Sequence, residues 1–336
     1  MKTTIADVAR VANVSKAAVS AVLNDKPGVS RETRENVLQV IRRLSYRPNA
    51  IARSLIVNKT KSIGLVIKEI DNPYFSKIMK GVFDACTGRG YTMLLGSSEL
   101  VPAQERKSIE ALASHRVDGL ILSPLQGADV DFLHLADLIR DRYPLVMLGS
   151  VKNYATHVVD IDNVEAAFRA VSYLLDLGHT RIAYFSGPAY SAHSDERLMG
   201  YRKAHSERNL PVRETDVVPV GSYAAESRRA AKAFFRDPEN RPTAVFCYND
   251  LVAIGLINGL EDLGIRVPEE VSVMGFDNLD SGEYFRIPLT TVHVPAYKIG
   301  FAAAELLIRR MGMQEPVEYE KIFFETKLII RKSCSG

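Results

Sequence analysis

The sequence predicts an α/β protein, with a small helical head followed by a two-lobed body built on parallel sheets. Three observations carry this. The first 45 residues place apolar side chains at helical spacing with no strand pattern. From Ser62 onward, short apolar runs alternate with amphipathic stretches, and that alternation runs through twice. At 336 residues the chain is also too long for one ordinary core.

Composition narrows the class. With 46% hydrophobic and 25% charged residues the chain has the make-up of a globular protein. No apolar run approaches the ~20 residues of a membrane span, and Met1 to Asn13 lacks the apolar centre of a signal peptide. Cys86, Cys247 and Cys334 are scattered and form no CxxC pair. That usage predicts a reducing cytoplasm, with no disulfide framework and no zinc site.

The net charge of +3 hides an asymmetry. Residues 1–60 hold eleven Lys and Arg against four acids, while the rest of the chain holds 32 basic and 36 acidic residues. A basic head on a mildly acidic body is the electrostatic layout of a nucleic-acid binder.

The head reads as three helices. Thr4 caps the first, with Asp7 three residues on, and Ile5, Val8, Ala9 and Ala12 share its inner face. Ser15 caps a second helix running to Leu23, with Val19, Val22 and Leu23 inward. After Asp25-Lys26-Pro27-Gly28, Ser30 caps a third that buries Val37, Val40, Ile41 and Leu44. Two short helices joined by a tight turn and closed by a third make a helix-turn-helix. Its second helix would enter the major groove of double-stranded DNA, presenting Lys16, Ala17 and Ala21 to base edges. Lys16 can donate to guanine, and the alanines can offer only a methyl or clear space. Ser15, Ser20 and Asn24 suit phosphates, although capping is the plainer role of such residues.

The runs Thr4-Ile5-Ala6-Asp7-Val8-Ala9, Val14-Ser15-Lys16-Ala17-Ala18-Val19-Ser20, Val29-Ser30-Arg31-Glu32-Thr33-Arg34, Tyr46-Arg47-Pro48-Asn49 and Ala52-Arg53-Ser54-Leu55 resemble the lactose-repressor family of bacterial transcription regulators. The likeness extends over essentially the whole chain. It implies that Thr4, Tyr46, Asn49 and Arg53 join the DNA contacts. Pro48 ends the third helix, and Asn49 to Ile56 is too short a helix to be stable alone. In the family this segment folds as a hinge helix on operator DNA, where it pairs with its dimer mate. Leu55 falls at the position that wedges into the minor groove. The plainer reading of Leu55 is a linker residue packed on the body.

In the body the two βαβα halves resemble the periplasmic sugar-binding fold that this family carries. The expected division is 1–46 for the helix-turn-helix and 47–60 for the hinge helix and linker. Residues 61–160 with 291–319 make the first lobe, and residues 161–290 with 320–332 make the second. Three chain crossings, near residues 158–162, 290 and 320, join the lobes. Ligands of open parallel sheets bind at the carboxyl ends of strands, so the polar residues after strands are the candidates. By resemblance the effector contacts fall on Asp162, Arg197, Tyr223, Asn249 and Asp277, and more loosely on Tyr74, Phe75 and Ser123. His193 stands four residues before Arg197, where a small or hydroxylated residue is usual, and Gly149-Ser150 replaces a more frequent charged pair. The plainer alternatives are caps for Asp162, Asn249 and Asp277, simple packing for Tyr223 and a surface ion pair for Arg197, although the resemblance favours the ligand roles and a clamp at Arg197.

Enzymatic readings find no support. GxSxG, HExxH, P-loop and GxGxxG elements are absent from the sequence. His193-Ser194-Asp195 carries triad residue types, but neighbours along a helix point apart. The expectation is a non-enzymatic repressor without a cofactor, a homodimer on near-palindromic DNA whose grip is switched by a small effector, a sugar before others. The alternatives are a phosphosugar, a nucleoside or purine, or a phosphoprotein co-regulator. Arg197 alone as a cleft cation favours a neutral ligand over a phosphorylated one.

Overall fold

The computed structural model describes residues 3–23, 25–46, 59–126, 133–151, 154–312 and 318–336. The chain separates into two compact units, Met1–Thr60 and Lys61–Gly336.

The head holds α1 (Ile5–Ala12), α2 (Lys16–Leu23) and α3 (Arg31–Arg43). The predicted caps form. Thr4 and Asp7 make a reciprocal capping box, Ser15 Oγ accepts from Ala18 N at 3.1 Å, and Ser30 Oγ accepts from Thr33 N at 3.2 Å. Val8, Ala9, Ala12, Val19, Val22, Val37 and Val40 close a small core, against which Ile5, Leu23, Leu44 and Tyr46 pack.

The body contains two six-stranded sheets. In the first half β1 (Ser62–Ile67), α4 (Pro73–Gly88), β2 (Thr92–Ser97), α5 (Pro102–Ser114), β3 (Gly119–Leu122), α6 (Leu133–Arg140), β4 (Leu145–Met147) and β5 (His157–Ile161) alternate. The second half repeats the pattern with α7 (Asn163–Asp176), β6 (Ile182–Ser186), α8 (Ala192–Glu207), β7 (Val217–Pro219), α9 (Ala224–Phe234), β8 (Ala244–Cys247), α10 (Asp250–Asp262) and β9 (Ser272–Asp277). The chain ends in β10 (Thr290–His293), α11 (Ala296–Met311), β11 (Lys321–Phe324) and β12 (Lys327–Ile329).

The first sheet orders its strands β11-β5-β4-β3-β1-β2 and the second β12-β10-β9-β8-β6-β7. Central strands are buried on both faces, as helices on both sides of a parallel sheet require. The chain passes from β5 to α7, back from β10 to α11, and across again between β11 and β12. The last crossing departs from the expected boundary at residue 320. Lys321–Phe324 pairs in parallel with Val158–Ile161 of the first sheet, and only Lys327–Ile329 joins the second, antiparallel to β10. The crossing expected near residue 320 therefore falls at Glu325-Thr326, between the two short strands. Helix α11 packs closely on α4 because Gly81 has no side chain; a Cβ there would lie 2.2 Å from Tyr297 O.

Candidate functional site

The head offers a short, exposed helical start. Ser15, Lys16 and Ala17 are exposed at the beginning of α2, and Ser20 and Ala21 are half-buried one turn on. Lys16 makes no ion pair among the described residues. Elsewhere in the head Arg10 bonds Asp7 at 2.8 Å, Arg31 bonds Glu35 at 2.9 Å and Arg34 bonds Asp25 at 2.6 Å. The basic charge at the front of α2 is therefore unneutralised, as an approach to phosphates requires. Thr4 is exposed but engaged in its capping box. Tyr46 is half-buried against the head core, a packing role the sequence reading left out. Asn24, Asn49, Arg53 and Leu55 lie outside the described residues.

In the body, the ends of β1, β8 and β9 and the start of α8 surround a narrow recess with a free volume of about 20 Å³. It is lined by residues of both halves, including Tyr74, Phe75, His193, Arg197, Asn249 and Asp277 from the sequence-based set. Ser123, Asp162 and Tyr223 are not among its lining residues. Asp162 is exposed and caps α7, its Oδ1 accepting from Glu165 N at 2.9 Å. Tyr223 precedes α9 and donates its hydroxyl to Asp71 Oδ1. Ser123 is buried behind β3, its amide bonded to Val66 O. Asn249 combines both roles, because it lines the recess and caps α10 by accepting from Val252 N at 2.8 Å.

Arg197 organises the centre. It is 5% exposed, and its guanidinium carbon sits 3.6 Å from the Phe276 ring centroid and 4.8 Å from that of Tyr248. Nε donates to Asn163 Oδ1 at 3.1 Å, Nη1 donates to Tyr248 O, and Nη2 lies 4.0 Å from Asp277. A guanidinium packed against two rings with its nitrogens bonded has a fixed orientation. Asp277 ends β9 with φ +109°, a conformation costly for a residue with a Cβ. Burial pushes its carboxyl well above the carboxylate range, against the pull of Arg197. Strain and a buried acid at a strand end mark functional ground.

Two further charged lining residues were missed. Lys68 and Glu69 follow β1 directly and are each 4% exposed. Burial lowers the Lys68 pKa, opposed by Asp160, Glu105, Glu69 and Glu196, and its Nζ lies 3.4 Å from Ser191 Oγ. Burial raises Glu69, whose Oε2 accepts from Asn72 Nδ2 at 3.2 Å. The available signal was position, since these are the first polar residues after a buried strand. Arg197 is thus not the lone cation of the recess. Asp277 lies 4.0 Å from Arg197, and Asp160, Glu69 and Glu196 act on Lys68, so both cations sit among acids. Aromatic faces beside buried acids and two buried cations give the recess both stacking surfaces and polar groups for a small ligand.

Residues 4–49 match the model of bacterial regulatory proteins of the lacI family, and residues 171–334 match the periplasmic binding protein-like domain. An HTH-type transcriptional repressor PurR of Vibrio cholerae serotype O1 is 38% identical over 323 residues, covering 96% of this chain and 94% of that protein. A PurR of Vibrio campbellii is 37% identical over 333 residues, with 98% of each covered. Among solved structures, a transcriptional regulator CelR–cellobiose complex is 31% identical with a TM-score of 0.72, covering 99% of this chain and 100% of that one. The lac repressor dimer bound to operator and an anti-inducer is 23% identical with a TM-score of 0.90 over 100% of both chains, a likeness of fold. No helix among the described residues is long and apolar enough to cross a membrane. The chain belongs to the lacI family of bacterial regulatory proteins, transcriptional repressors with a helix-turn-helix head and a periplasmic-binding-like body.

Proposed function

We propose that the chain represses transcription as a cytoplasmic, non-enzymatic homodimer whose operator affinity is switched by a small neutral effector, a sugar, held in the recess around Arg197 and Asp277. The observation that carries this reading is the Arg197 guanidinium, fixed between Phe276 and Tyr248 beside the strained Asp277 at the carboxyl end of β9. In the head, Lys16 contacts a base edge and Ser15 and Ser20 contact phosphates. The segment around Asn49, Arg53 and Leu55 supplies the minor-groove grip.

The recess is lined from both lobes, so its filling biases their relative arrangement. The hinge segments of two protomers feel that arrangement through the first lobes, which couples effector to operator. Induction and corepression use the same parts. A second reading, a nucleobase or nucleoside effector, is favoured by the aromatic side chains Tyr74, Phe75 and Tyr248 along the recess, against which a planar base can stack.

A thermal-shift screen of monosaccharides, cellobiose, nucleosides and sugar phosphates on the full chain tests the proposal, with promoter DNA present and absent. A neutral sugar should raise Tm. Stabilisation by sugar phosphates alone would overturn the neutral-effector reading, and stabilisation by nucleosides alone would establish the second.

A further inference from the structure

The two body positions at which the sequence departs from its resemblance, Gly149 and His193, meet in space. His193 Nε2 lies 3.0 Å from Asp160 Oδ2, linking the start of α8 to β5. Asp160 is 5% exposed, and its Oδ1 accepts from Ile161 N at 2.8 Å. Gly149, at φ +112°, makes the room. A Cβ there would lie 3.0 Å from His193 Nε2 and 3.6 Å from Asp160 Oδ2, so a side chain would strain the backbone and press the imidazole a few tenths of an ångström from its place on the carboxylate.

We propose that Asp160, acting through His193 in the space kept by Gly149, sets the hydrogen-bond polarity of this wall of the recess and so selects an effector group that donates. The argument rests on the recess being the effector site. A carboxylate accepts, so the nitrogen facing it carries the proton. In the neutral ring His193 is then the Nε2–H tautomer, and its Nδ1 is an acceptor. That nitrogen has no protein partner among the described residues, and the ring lines the recess. Its complement is a sugar hydroxyl or a ring N–H. An ether oxygen, a carbonyl or a phosphate oxygen finds no donor there.

Asp160, His193 and Glu196 also place ligand atoms within 4.8 Å of one another, a spacing open to a metal ion. Lys68 argues against that use. Asp160 and Glu196 also act on the buried Lys68, opposing the burial that lowers its pKa, so a cation already shares part of their charge.

The first test reads the tautomer directly. Nitrogen-15 spectra of the histidine-labelled full chain, at about pH 8 where an ordinary imidazole is neutral, should show His193 as Nε2–H. The signal is assigned by its loss in His193→Gln. Asp160→Ala and Gly149→Ala should each shift the ring toward a tautomer mixture. An Nδ1–H ring in the wild type would overturn the proposal. Displacement of the His193 signal by one equivalent of Zn²⁺ would overturn it too, reassigning the group to metal.

The second test is calorimetric, with D-ribose, D-glucose, D-galactose, cellobiose, guanosine and adenosine as probes. A probe that binds should lose about tenfold in affinity on His193→Ala. A deoxy analogue lacking the donor should lose as much on the wild type and nothing further on the variant. Asp277→Asn separates the two levels. If it abolishes binding while His193→Ala and Asp160→Ala leave both affinity and probe ranking unchanged, the polarity proposal falls and the recess stands. If Asp277→Asn leaves binding intact, the recess assignment itself fails.

Discussion

Asp250 shows how much a single buried acid can contribute. It is fully buried, accepts from Leu279 N at 2.7 Å and from Thr291 Oγ1 at 2.6 Å, and burial raises its pKa to about 7. A carboxyl whose folded pKa is raised stabilises the native state below its unfolded pKa, and that stabilisation is lost as pH rises toward the folded value. The stability advantage of the wild type over Asp250→Asn should therefore shrink from about pH 4 to pH 7, by up to roughly 4 kcal/mol. Urea titrations across that range check it, and a constant difference would contradict the raised pKa. At this scale the sequence gives caps and ligands the same letters. Asp162, Tyr223 and Asn249 all precede helices, and spacing alone does not tell which of them also faces a cleft. Asp277 stood out because it ends an apolar run. Lys68 did not, because a lysine after a strand reads as surface charge and its burial comes from the opposite lobe.

Among the elements, α2 makes the sharpest prediction. Lys16 is exposed and unpaired at its start, so Lys16→Ala should weaken operator binding by about 1–3 kcal/mol while sparing random DNA, if it reads a base. An equal loss on both would reassign it to a phosphate. The proposed minor-groove grip of the segment after the head has its own test. Leu55→Ala should abolish bending of operator DNA and leave the dimer intact, measured by permutation gels and light scattering. An unchanged bend would remove the wedge from the account. Helix starts were legible because capping is local chemistry between residues three apart, as at Thr4 and Ser30. The strands were legible as apolar runs, but their pairing was not. Strand β11 was assigned to the wrong lobe, because which sheet a four-residue edge strand joins depends on partners 160 residues away.

In the whole molecule, a basic head and a two-lobed body were readable from charge distribution and repeated alternation, both of which integrate over many residues. The cleft chemistry was less so. Lys68 after β1, Asp160 on β5, and His193 with Glu196 on α8 converge there from three parts of the chain. The central claim is that one recess in the body controls the grip of the head. Operator binding by the full chain, followed by fluorescence anisotropy with and without a stabilising sugar from the screen, tests it most directly. The wild-type Kd should change by a factor in the range of about 5–150 when the sugar is added. Asp277→Asn should bind operator as tightly as the wild type and show no change. A variant that still responds in full would contradict the account.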